Sequence, residues 1–363
     1  HLEPQRDGVR IRYRIDGILH EAMQLPLGVH AAIVSRLKVM AGMNIAERRR
    51  PQDGQFSVKV EQSEVDVRAA TIETDNGEMV VLRILDKSLS LLRIEDVGLQ
   101  PEPLQQMQRM LRAPFGAILI SGPTGSGKTT TLYAGVNYLE KNENNIITIE
   151  DPVEYHFDGI NQIQVNRQAD ITFAAGLRAI MRLDPDIILV GEIRDRETAE
   201  IAVQSALTGH LLLSSIHANN AVGSLFRMMD LGVDPLLLAS AMIGSISQRL
   251  VRRICPHCRI PYEPPFEELM AYKSVTGEDH TQFFKGAGCN FCANTGYLGR
   301  TAVFEVLTLG EELRARLLKG MNASEARTAA IESGMIPMQL DGMMKAKQGT
   351  TAIHEVMRNV FVL

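Results

Sequence analysis

Residues 122–129 read Gly-Pro-Thr-Gly-Ser-Gly-Lys-Thr. Glycines here let backbone N–H groups converge on phosphate oxygens without side-chain clash. A helix opening just behind them adds its partial positive charge. Lys128 can then reach the β- and γ-phosphates of a nucleotide, and Thr129 can hold Mg²⁺. Gly122, Pro123, Thr124, Gly125, Ser126, Gly127, Lys128, Thr129 and Thr130 are therefore expected to bind ATP. Hydrolysis needs, besides this cradle, a held metal and an oriented water. Glu192 ends an apolar run where a magnesium-handling acid belongs, but the aspartate usual at the position before it is Gly191. Glu192 is thus expected to handle Mg²⁺ through water. Glu154, at the end of another run, is expected to polarise the attacking water. Taken singly, a strand-end carboxylate is more often solvated or paired than catalytic; two that follow a phosphate loop in order reverse that weighting.

His210 and His217 bracket one strand at a separation of seven. Odd separation puts them on opposite faces, which argues against one shared metal. His217 falls at the carboxyl end, where it can sense the γ-phosphate; spacing alone gives His210 the weaker case. Cys255, Cys258, Cys289 and Cys292 form two Cys-x-x-Cys pairs and use every cysteine in the chain. That pattern fits a closed, tetrahedral, structural Zn²⁺ site.

The elements that must carry these residues alternate between strand and helix from Leu104 onward. Short apolar runs at Ile118–Ile120, Ile146–Ile149, Ile187–Val190 and Leu211–Ile216 are separated by helical stretches. The pattern predicts an α/β fold: a parallel sheet with helices on both faces and ligands at the carboxyl ends of the strands. Before it, Val9–Ile15 alternates strictly and Asp16-Gly17 supplies a hairpin turn. Three more strand-like runs and one amphipathic helix at Ile33, Leu37 and Met40 complete a small α+β domain. Expected boundaries are 1–97 for that domain, 98–103 for a linker, 104–253 for the P-loop core, 254–293 for the four-cysteine element and 294–363 for a mostly helical end.

The 363 residues are 45% hydrophobic and 22% charged, as a globular chain with real cores should be. Net charge is −5, which argues against bulk nucleic-acid binding by a basic surface. No apolar run approaches the ~18–20 residues of a membrane span. Cysteine usage favours a reducing, cytoplasmic setting. The chain opens at His1 without methionine, as a piece of a longer protein would.

Taken together, the motifs resemble the secretion ATPase superfamily that powers type II secretion and type IV pilus assembly. Gly122–Thr129 is similar to its Walker A motif, Ile149-Glu150-Asp151-Pro152-Val153-Glu154 to its Asp box and Leu189–Asp195, with Gly191, to its atypical Walker B. Thr208-Gly209-His210 through His217-Ala218 is similar to its His box, which raises the standing of His210. Arg48–Gly54 and Gly296–Thr301 also match. The resemblance implies a RecA-like core and a ring of six copies, with nucleotide held between the small domain and the core. Arg68 and Arg83 fit the arginine fingers, Glu154 the catalytic base and Glu192 the Mg²⁺-handling acid. It further implies peripheral attachment at the inner membrane, to a platform protein and through an upstream domain to a membrane recruiter. The four cysteines place the chain with the secretion and extension branches, and the short intercysteine loop favours type II secretion over pilus extension.

Two other readings compete. A nucleic-acid-handling ATPase would use Arg249, Arg252 and Arg253, but net acidity and the lack of tryptophan weigh against it. A non-hydrolysing interaction module is disfavoured by intact Lys128, Glu154 and Glu192.

Overall fold

A computed structural model describes residues 1–60, 63–85 and 92–361, and the chain divides into two compact units, His1–Leu89 and Ser90–Leu363. In the first, β1 (Leu2–Pro4), β2 (Val9–Ile15), β3 (Ile18–Leu25), α1 (His30–Met40), β4 (Gln52–Val60), β5 (Ser63–Thr74) and β6 (Gly77–Leu85) follow one another. The strands form one sheet in the order β3-β2-β1-β6-β5-β4. The expected hairpin is present: Asp16 and Gly17 both take positive φ, and Ile15 pairs with Ile18. Leu2, Val34 and Val80 centre a small core, with Ile33 and Leu37 packed beside it. Lys38 is buried against Glu78 and donates to the Glu47 carbonyl at 2.6 Å. All three β2 arginines have partners: Arg10 and Arg12 pair with Glu3 at 3.0 and 2.5 Å, and Arg14 donates to the Gly17 carbonyl at 2.9 Å.

The second unit runs α2 (Pro101–Leu111), β7 (Gly116–Ser121), α3 (Lys128–Tyr138), β8 (Ile146–Glu150), β9 (Asn161–Gln164), α4 (Phe173–Ile180), β10 (Ile187–Val190), α5 (Arg196–Leu207) and β11 (Leu211–Ile216). It continues with α6 (Ala221–Asp230), α7 (Pro235–Ala241), β12 (Met242–Ile254), β13 (Arg259–Tyr262), α8 (Phe266–Thr276), β14 (Phe283–Gly286) and β15 (Tyr297–Thr308). The chain then ends in α9 (Glu311–Leu318), α10 (Ala323–Glu332), α11 (Met338–Lys347) and α12 (Ile353–Val360). The main sheet has the order β15-β12-β7-β11-β10-β8-β9, parallel throughout except for β15 against β12.

Every residue of β7, β8, β10 and β11 is buried. These strands are covered on both faces, so they read as continuous apolar runs rather than alternating ones. Leu119, Ile149, Ile188 and Leu212 face a core shared with α4–α7, whereas Ile118, Ile120, Leu189 and Leu213 face α2 and α3. Among the described residues, no helix is long and apolar enough to cross a membrane.

Two boundary expectations need correction. Residues 98–103 are not a free linker. Pro101 opens α2, Pro103 is buried in it, and Ile94 and Val97 belong to the core beneath. Proline fits a helix's first turn, where the missing N–H has no partner to lose. Nor does the core stop at 253, because β12 extends to Ile254 and β15 joins the same sheet from beyond the cysteines. The end is helical only after β15.

Candidate nucleotide site and cysteine centre

The phosphate loop emerges from β7, whose neighbours in the sheet are β11 and β12. Gly122, Gly125 and Gly127 all hold positive φ, at 150°, 77° and 88°. At Gly122 a Cβ would meet Ser126 Oγ at 2.5 Å and the Gln248 carbonyl oxygen at 2.6 Å, so space as well as conformation demands glycine. Gly127 is the residue from which α3 begins, and it offers no side chain to cap the helix's first N–H groups. Lys128 Nζ donates to the carbonyls of Gly122 and Pro123 at 2.9 and 3.1 Å. Burial holds its pKa below the ordinary lysine value, with the Arg249 charge adding to the effect against the opposing pull of Glu192. Ser126 Oγ is buried with no hydrogen-bond partner among the described residues. These features fit the binding of nucleotide phosphates at the loop.

Glu192 follows β10, and Ile193 N donates to the Ser215 carbonyl at 2.9 Å while Ser215 Oγ donates to that of Gly191 at 2.7 Å. This fixes the turn against β11. Asp195 then caps α5 by accepting from Thr198 N at 2.8 Å. The Glu192 carboxylate pairs with Arg194 at 2.5 Å and lies 3.8 Å from His217 Nε2. Burial, followed by the Lys128 charge, lowers the His217 pKa, and Glu192 pulls it back up. The fold therefore brings Lys128, Glu192 and His217 into one electrostatic cluster at the carboxyl ends of three parallel strands.

Glu154 arrives differently. It lies four residues beyond β8, not at the strand's end, and its backbone N–H donates to the Tyr133 hydroxyl of α3 at 3.4 Å. That hydroxyl donates in turn to buried Glu150. His210 is not brought to the loop. It precedes β11 at the amino ends of the parallel strands, away from the loop, where its Nδ1 meets the Ser205 carbonyl at 2.9 Å. The opposite-end argument from spacing outweighs the motif here. Arg68 and Arg83 are cross-strand partners on β5 and β6, directly opposite each other and hence on one face of the first unit's sheet.

Sequence reasoning missed Gln248. Its Nε2 donates to the Ser126 carbonyl at 2.7 Å and sits 3.1 Å from where a Gly127 Cβ would be. Its only signal is its place one residue past the strand register Ser247–Ser121. The three arginines once grouped as a nucleic-acid surface have separate places. Arg249 donates to the Asn219 and Gln248 carbonyls, Arg252 pairs with buried Glu355 at 2.6 Å and covers the Tyr297 ring, and Arg253 is exposed.

The four cysteines are free of disulfides, and their Sγ atoms lie within 4.8 Å of one another. Three Sγ–Sγ separations are 3.8, 3.8 and 3.6 Å. Tetrahedral Zn²⁺ at about 2.3 Å from each sulfur requires edges of roughly 3.8 Å, so the donor set fits that ion. Backbone N–H groups of Cys289 and Gly296 donate to Cys292 Sγ at 3.2 and 3.3 Å. Burial alone would raise the Cys292 pKa, but these donors and the neighbouring thiols bring it down to about 6.

The model of the family described as Type II/IV secretion system protein matches residues 1–358. The chain belongs to this family. It is 46% identical over 358 residues to the type II secretion system protein HxcR of Pseudomonas aeruginosa, covering 99% of this chain and 72% of that one. To the type II secretion system ATPase E of Vibrio cholerae it is 44% identical, covering 99% and 71%. The type IV pilus assembly ATPase PilB of Thermus thermophilus is also 44% identical, over 98% of this chain but 40% of that one. Two solved structures share the fold. The pilus retraction motor PilT with bound ADP has a TM-score of 0.64 at 24% identity, covering 98% of this chain and 91% of that one. The ATPase DotB of Yersinia pseudotuberculosis has 0.70 at 20%, covering 98% and 87%. The family member described here is a secretion ATPase. The nucleic-acid alternative gains no support from these relatives.

Proposed function

We propose that the chain is the ATP-hydrolysing part of a hexameric motor for pseudopilus assembly in type II secretion, with type IV pilus extension as the same chemistry in a sister machine. The observation that carries this reading is the convergence of Lys128, Glu192 and His217 at the glycine loop. In the proposed reaction, Glu154 takes a proton from water as its oxygen bonds to the γ-phosphorus. The bond to the β–γ bridging oxygen breaks and ADP leaves. Lys128 neutralises charge on the β- and γ-phosphates, His217 reads the γ-phosphate, and Mg²⁺ would be held by Thr129 directly and by Glu192 through water. Bound Mg²⁺ would supply charge neutralisation on the phosphates. Arg68 and Arg83 complete the site as fingers from the small unit. Zn²⁺ on the four cysteines is structural.

The motor works at the cytoplasmic face of the inner membrane by contact with a platform protein. The resemblance to secretion ATPases, Cys₄ element included, supports this placing. The test is an ATP hydrolysis assay with nucleotide binding measured alongside. Glu154→Gln should bind ATP with little turnover, and Lys128→Ala should lose both; full turnover in Glu154→Gln contradicts the assignment.

A further inference from the structure

Tyr133 lies on α3, five residues after Lys128 and so about 7.5 Å further along the helix axis. It is 2% exposed and packs edge-on against Tyr155 and Phe157, at centroid distances of 6.0 and 4.8 Å. Both rings belong to the loop that carries Glu154. The Tyr133 hydroxyl uses both its functions: it donates to Glu150 and accepts from Glu154 N at 3.4 Å. Glu150 is itself held, its other oxygen accepting from Thr148 Oγ1 at 2.6 Å and from Gln162 Nε2 at 3.2 Å. Gln162 also fastens the loop, donating to the Tyr155 carbonyl and accepting from Phe157 N, each at 2.9 Å.

We infer that Tyr133 is a positioning residue for hydrolysis: from the helix that opens at the phosphate loop, its hydroxyl fixes the backbone that carries Glu154. Any displacement of the first turns of α3 as phosphates fill the loop is thereby passed to Glu154. Burial, then the Glu150 charge, holds the phenol well above its ordinary pKa, so it remains a donor across the assay range. The inference rests on the proposed role of Glu154 as base.

Tyr133→Phe keeps both ring contacts and removes only the hydroxyl. A misplaced base costs up to about 100-fold in rate, so kcat should fall about 10- to 100-fold while KM for ATP stays within about twofold. In a Glu154→Gln background the same change should have no further effect, because residues that act through one another are not additive. An active Glu154→Gln enzyme overturns the base assignment and the inference together. An inactive Glu154→Gln beside a Tyr133→Phe enzyme with normal kcat overturns the inference alone, as do additive losses or a loss confined to KM. Should Tyr133→Phe not fold, Glu150→Gln weakens the charge-assisted acceptor at nearly equal volume. A several-fold fall in kcat at constant KM is expected there; a folded Glu150→Gln with normal kcat overturns the inference.

Discussion

The residues that hold phosphate announce themselves because their chemistry is local. Gly122 must be glycine for two separate reasons, a φ of 150° and a neighbour 2.5 Å from the missing Cβ. Gly122→Ala should therefore lower ATP affinity at least tenfold and reduce thermal stability by about 1–3 kcal/mol of backbone and contact strain, measurable by nucleotide titration and melting. Lys128, Glu192 and His217 were legible from order along the chain, since parallel strands deliver their carboxyl ends to one edge. Gln248 and Tyr133 were not, because nothing in their types or spacing says that one packs beneath the loop and the other against Glu154. The position of Glu154 was only half legible: it was read as ending a strand, and it lies in the loop that follows.

At the scale of elements, the buried parallel strands could be read from apolar runs, but β12 and β15 could not. They alternate imperfectly and are separated by the whole cysteine element, so pairing across residues 244–308 has no local signature. The same distance effect explains Arg252. Glu355 is fully buried on α12, and although burial raises its pKa, Arg252 and Arg358 pull it below the ordinary carboxylate range. A depressed carboxylate contributes stability above its unfolded pKa, and that contribution is lost as pH falls through the folded value. Arg252→Ala should accordingly cost up to about 3–5 kcal/mol by leaving a buried charge poorly paired, with a weaker acid dependence than the parent in urea melts across pH 3–7. The proposed Zn²⁺ on the four cysteines would hold their element together. Metal analysis should find one equivalent of Zn²⁺ per chain, and Cys255→Ser should lower the melting temperature of the full chain. The apparent zinc contribution of ~10–16 kcal/mol in small folded units sets the scale. Melting unchanged by the substitution would refute a structural role for the centre.

For the whole molecule, the chain spans 71–72% of the two type II secretion relatives and 40% of the pilus ATPase, and the residues proposed for the chemistry lie in two separate units. The phosphate loop and Glu154 belong to one, and Arg68 and Arg83 to the other. If Arg68 and Arg83 are the arginine fingers proposed above, ATP turnover depends on both guanidinium groups. An arginine finger is worth ~10³–10⁵ in rate. The direct measurement is steady-state ATP turnover by the full chain carrying Arg68→Ala and Arg83→Ala, with ATP binding titrated on the same preparation. Turnover should fall at least ~10³-fold with affinity changed only a few-fold; turnover equal to that of the unsubstituted chain would rule out both arginines as fingers.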